Sequence, residues 1–193
     1  MNTPIKLLLD SYQELHAMEV QVARSLPVLS GSVMNVRLRK LLTELAFRTR
    51  DRRDWLADQV IHHGDLPVTR MRLAISGILT AGNNDLAETR NPFMRDLLMI
   101  RHCIRIIQHV SLGYGSVSRL ADSAGVPADG RCLASFLSEL EVAGMRLKAI
   151  ESELCPSTLF HRAHAGRMKK KADLPRGNRT LKPKLTKNSD ESQ

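Results

Sequence analysis

The sequence predicts an all-α protein: four long helices and one short one packed as an antiparallel bundle, followed by a basic tail. Three observations carry this reading. Apolar residues recur at alternating spacings of four and three, as in Leu8, Tyr12, Leu15, position 19, Val22 and Leu26, the seam of a helix packed in a bundle. Aromatic residues make up only 4% of the chain, a composition that favours helices over sheets. No alternating pattern of useful length and no strand-turn-strand signal occurs.

The elements follow in order. Thr3-Pro4 sets an N-cap before a proline at the first helical position, and the helix it opens extends to about residue 29. Ser30-Gly31-Ser32 is the turn. The second helix covers about residues 34–63, with the seam Leu38, Leu42, Leu45, Thr49, Arg52 and Leu56, and stops at Gly64-Asp65-Leu66-Pro67. A short helix is expected over residues 69–81, interrupted by Gly82-Asn83-Asn84. Asn91-Pro92 repeats the cap-then-proline device and opens a long helix ending near Ser123, with the seam Leu97, Ile100, Ile104, Ile107, Ser111, Tyr114 and Val117. Residues 124–128 read as a loop, with Asp129 as cap of the last helix. The seam of that helix is Leu133, Leu137, Leu140, Gly144, Leu147 and Ile150, and Cys155-Pro156 ends it. Short connections argue antiparallel neighbours.

Two seams carry polar residues where apolar ones belong. Glu19 places a carboxylate among leucines and valines, and an isolated buried carboxylate is costly without a metal, a cation or a proton as partner. The second helix breaks its seam at Thr49 and Arg52. Folding the first two helices at their turn brings position 19 opposite the middle forties to about 50. Glu19 is therefore expected to form a core charge pair with Arg48 or Arg52.

The chain of 193 residues has a net charge of +9, of which +6 falls in residues 165–193. That stretch has few apolar residues and no period, so residues 161–193 are expected to form a disordered tail after a bundle domain over 1–160. Lys169, Lys170, Lys171, Arg176, Arg179, Lys182, Lys184 and Lys187 could neutralise phosphates without sequence preference. The tail has no aromatic residue to stack on bases, and no amphipathic helix or apolar anchor for a membrane. Three cysteines without metal spacing suggest free thiols in a reducing compartment. The run Leu7 to Leu9 is too short for a secretory or membrane-spanning segment. A cytoplasmic location is expected.

Together these residues resemble a family. Leu15-His16-Ala17-Met18-Glu19 with Gln21 and Leu26-Pro27, Thr49 seven before Leu56, Gly77-Ile78-Leu79 with Gly82, Asp96, Gln108, Tyr114-Gly115, and Leu137, Glu139 and Leu147 are similar to motifs of the ferritin-like stress proteins of the YciE/YciF type. The resemblance covers about residues 8–154 and implies a ferritin-like four-helix bundle. It also implies a homodimer and a core pair of iron or manganese ions held by Glu and His of facing helices. This sequence departs from that ligand pattern. Glu19 matches the acid of the first helix, but the ligand positions of the second helix fall at Leu45 and Arg48 and that of the short helix at Ala81. Those of the next helix fall at Ile107, Gln108 and Val110. The paired acids of the last helix fall at Glu139 and Leu140. Glu19 and Glu139 are the vestigial metal candidates, too few for a di-metal site.

Catalytic signals are poor: no Cys-His or Ser-His-Asp order stands out, and no phosphate-binding Gly-x-x-x-x-Gly-Lys loop occurs. His62-His63 reads as a helix end, where cations are favoured, and His102 and His109 as surface or interface residues. Leu120 to Leu137 resembles a helix-turn-helix, but the would-be recognition helix carries Asp129, Glu139 and Glu141 against Arg131, the wrong charge for a major groove. The expectation is a non-catalytic, stress-associated bundle with a degenerate metal site and no cofactor. The alternatives are a working iron or manganese protein, and a nucleic-acid-associated protein acting through its tail.

Overall fold

The computed structural model describes residues 3–68 and 70–155, and the helical unit it contains is Met1–Cys155. The expected disorder and the eight basic residues of the tail lie outside the described residues. Five helices follow one another: α1 (Pro4–Gly31), α2 (Val36–His62), α3 (Leu73–Glu88), α4 (Pro92–Ser123) and α5 (Pro127–Leu154). Among the described residues there is no strand, and no helix long and apolar enough to cross a membrane.

α1 and α2 form one hairpin and α4 and α5 the other; α1 packs on α4, α2 faces α5, and α3 lies against α4 and α1. Every neighbouring pair in the ring of four is antiparallel. Glu44 and Arg37 of α2 accordingly meet Arg146 and Glu153 of α5. Asp96 of α4 fixes the turn between α1 and α2, accepting from the Met34 and Asn35 amides at 3.0 and 2.8 Å.

The predicted caps at Thr3 and Asn91 form. The Thr3 hydroxyl accepts from the Lys6 amide at 3.3 Å, and the Asn91 side chain accepts from the Phe93 and Met94 amides at 3.0 and 3.1 Å. Asn35 caps α2 in the same way through the Leu38 amide at 2.9 Å.

Three boundaries differ from expectation. α1 continues through Pro27 to Gly31. α5 begins at Pro127, directly after Gly125 turns the chain at φ +82°, so Asp129 lies inside its first turn. There Asp129 accepts from the buried Tyr12 hydroxyl at 2.8 Å rather than capping the helix. α3 starts later than expected and runs straight through Gly82-Asn83-Asn84 to Glu88. Local glycine and asparagine propensity is overridden there by packing, because Gly82 is pressed against the His102 ring of α4. The buried stripe of α4 is also offset from the expected one. Met99, Cys103, Ile106 and Val110 are buried, whereas Leu97, Ile104 and Ser111 sit at its margin.

Candidate core charge site

Glu19 is fully buried at mid-bundle, and its Oε1 accepts two hydrogen bonds. Arg52 of α2 donates through Nε at 2.7 Å, and Tyr114 of α4 donates its hydroxyl at 2.8 Å. Arg52 is 2% exposed, and its Nη2 donates to the Thr49 hydroxyl at 3.0 Å, one helical turn away on the same helix. The two seam breaks of α2 thus meet the seam break of α1, with Tyr114 closing the group from α4. Around them Val22, Leu26, Leu45, Ile106, Ile107 and Leu140 line a chamber with about 20 Å³ of free space. Glu19 Oε2 faces no hydrogen-bond donor among the described residues.

The electrostatics follow from burial and pairing. Burial, the largest single effect, disfavours a charged guanidinium, but Glu19, Tyr114 and Glu139 together outweigh it and raise the Arg52 pKa. The Tyr114 hydroxyl is pushed well above its ordinary range, first by burial and then by the Glu19 charge, so it remains a donor. Burial raises the neighbouring Cys103 thiol to about 12, which keeps it neutral and unreactive. All three cysteines are free thiols.

The other sequence candidates lie elsewhere. Arg48 is exposed and takes no part in the Glu19 hydrogen bonds; of the two arginines considered, Arg52 makes them. Arg48 and the half-buried Glu139 line a separate groove of about 270 Å³ between α2 and α5, with Arg52 at its base. Glu139 does not line the Glu19 chamber, although its charge also acts on Arg52. Of the histidines, His16 and His102 are buried, so His102 is an interior residue and not a surface one. His63 stacks on Tyr12 and approaches Asp129 at 3.9 Å. The sequence places Tyr114 on the apolar seam and in a Tyr-Gly motif of the resemblance, without a partner for its hydroxyl. Its one signal in the sequence was a hydroxyl-bearing ring on an otherwise aliphatic stripe.

The metal pair that the resemblance implies would need several ligands around Glu19. Among the described residues no group of three or more His, Cys, Asp or Glu side chains is placed to hold a metal ion. The positions facing Glu19 carry Leu45, Ile107 and Val110, which have no donor atom, and a guanidinium already bonded to its carboxylate. These residues do not fit a metal pair.

Comparison with known proteins agrees with the fold. No curated protein matches the chain. The solved structure of the Escherichia coli stress protein YciF is 19% identical, with a TM-score of 0.72 over 80% of this chain and 98% of that one. YcfI of Rhodopseudomonas palustris, described as a proposed structural protein, is 21% identical, with a TM-score of 0.71 over 76% of this chain and 94% of that one. Residues 3–159 match the family described as a domain of unknown function, DUF892. The chain therefore belongs to the DUF892 family and shares the helical-bundle fold of YciF.

Proposed function

We propose that this protein is a non-catalytic, stress-associated bundle whose metal site has been replaced by a core ion pair. Its product is a surface rather than a reaction. The observation that carries this reading is the Glu19 carboxylate, held by Arg52 and Tyr114 inside an aliphatic chamber. A buried cation at hydrogen-bond distance satisfies the charge a metal would otherwise balance and repels any incoming metal ion. The surface is the α4–α5 face, where Leu112 and Met145 are 76% and 61% exposed beside a groove of about 890 Å³. Exposed apolar patches of this kind mark contact surfaces. Arg119, Glu141 and Lys148 border the groove, and both signs of charge on one patch suit a two-fold contact between copies. The likeness to a stress protein and to a protein proposed as structural supports a scaffold role.

Metal analysis of protein expressed without a His tag tests the reading. Well under one iron or manganese per chain is expected. One or two tightly held ions per chain would overturn it in favour of a working metal protein.

A further inference from the structure

The ring of His102 is fully buried between α4 and α3, and both its nitrogens lack a hydrogen-bond partner among the described residues. The ring lies flush on Gly82 of α3. A Cβ at position 82 would fall 1.9 Å from His102 Nδ1 and 2.1 Å from Cε1, so only glycine fits there. The glycine that should have broken the helix is the seat of the histidine.

Little else holds α3 down. It fully buries only Ile75, Gly82 and Leu86, with Ile78 and Leu79 partly buried against the core; it has no side-chain N-cap and begins at Leu73, which is 82% exposed. Its ion pairs, Arg72 with Glu14 at 3.7 Å and Asp85 with Arg105 at 3.5 Å, are solvent-exposed and contribute little. An element with so few buried contacts sits at the low end of local stability. Its docking rests on a neutral imidazole, because a charged ring without partners is costly in a dry interface.

We propose that α3 is an acid-released latch: protonation of His102 undocks α3 from α4 while the α1–α2–α4–α5 bundle persists. The proton enters the ring from water that penetrates as α3 lifts, and the imidazolium stays solvated only in the open form. The charged groups facing the ring are Arg105 on α4 and Asp85 on α3. Burial and then Arg105 hold the His102 pKa below its ordinary value, and Asp85 opposes them with a smaller effect. Opening uncovers the strip of α1 and α4 that Ile75 and Leu86 cover, so acid converts a closed face into an apolar one.

Hydrogen exchange on the full chain tests this, with rates corrected for the intrinsic effect of pH. Protection of residues 73–88 should fall between pH 7.5 and 5.0, by up to about tenfold per pH unit below the ordinary imidazole value. The other four helices should still be protected at pH 5.0, with no more than a common, smaller loss that follows the stability of the whole bundle. His102→Phe keeps a ring on Gly82 and should hold α3 closed at both pH values. Gly82→Ala should leave α3 unprotected at pH 7.5. Acid lability that persists in His102→Phe, or α3 protection that does not change with pH in the wild type, overturns the proposal. Should His102→Phe fail to fold by far-ultraviolet circular dichroism, the wild-type imidazole titration followed by NMR decides. Its midpoint must coincide with the change in the α3 amide signals, and separate midpoints overturn the latch.

Discussion

The Tyr114 hydroxyl donates to Glu19 Oε1 at 2.8 Å, across the bundle from the guanidinium of Arg52, which donates to the same oxygen at 2.7 Å. One carboxylate oxygen therefore joins α1, α2 and α4 at a single depth. The arrangement sets register as much as energy. Sliding α4 or α2 by one turn would leave a buried carboxylate facing only aliphatic side chains, which is far costlier than a misplaced leucine.

Tyr114→Phe removes one of the two donors without changing the ring. A hydrogen bond to a charged group contributes about 1.5–3 kcal/mol, and the variant should lose about that much in urea unfolding at pH 7. An unchanged midpoint and slope would mean that the carboxylate draws nothing from the phenol.

Arg52 and Glu19 should behave as a unit. Removing one member of a buried pair strands the other, and Arg52→Leu or Glu19→Leu should each cost about 3–5 kcal/mol. The double variant replaces the pair by apolar side chains in an already aliphatic chamber, and should be neutral or more stable by about 1–4 kcal/mol. A double-mutant cycle read by chemical denaturation gives the coupling directly. Additive losses would show that the two side chains do not interact.

How far the sequence reveals this site depends on which physical rule each residue obeys. Glu19, Thr49 and Arg52 could be found because each breaks an apolar seam, and a seam break is visible in one dimension. Arg52 could not be separated from Arg48 by helix matching alone, since the two lie one turn apart on α2 and both fall opposite position 19 of α1. Burial separates them, because Arg52 continues the stripe of Leu45 and Leu56 whereas Arg48 faces the α2–α5 groove. The role of the Tyr114 hydroxyl was not legible, because a tyrosine in a seam reads as a large apolar ring and only three dimensions show where its hydroxyl points. The extent of α3 was hidden for the opposite reason. Gly82 is a helix breaker by local preference, and the His102 ring that requires it comes from twenty residues away on α4.

His16 should make the whole bundle sensitive to acid. It is buried on α1, and burial, followed by the charge of Arg53, holds its pKa below the ordinary imidazole value; Asp54 partly offsets this. The unfolded chain then binds the proton before the folded one does. Stability should be flat above the imidazole range and should fall as pH drops through about 6.5, until the folded ring titrates as well. Urea unfolding at a series of pH values from 8 to 5 measures the slope. His16→Leu should remove the His16 part of that slope while His102 retains its own. An identical slope in the variant would assign the acid sensitivity elsewhere.

The α4–α5 face gives the sharpest test of assembly. An isologous interface must complement itself, and a stable one covers about 800 Å² on each partner. Leu112 and Met145 are the exposed apolar side chains at the centre of this face, and Glu141 stands within the same groove as Arg119 and Lys148. Two-fold pairing can set Glu141 of one copy against a cation of the other. Leu112→Asp and Met145→Asp place a carboxylate where desolvation is greatest, and each should move the protein toward monomer in sedimentation velocity, with unchanged helix content by circular dichroism. Glu141→Lys should weaken association mainly at low salt, because rim charges are screened within about 10 Å at 0.1 M ionic strength. A dimer that survives both aspartates would place the contact on another face, and a wild type that is monomeric at high concentration would remove the dimer altogether.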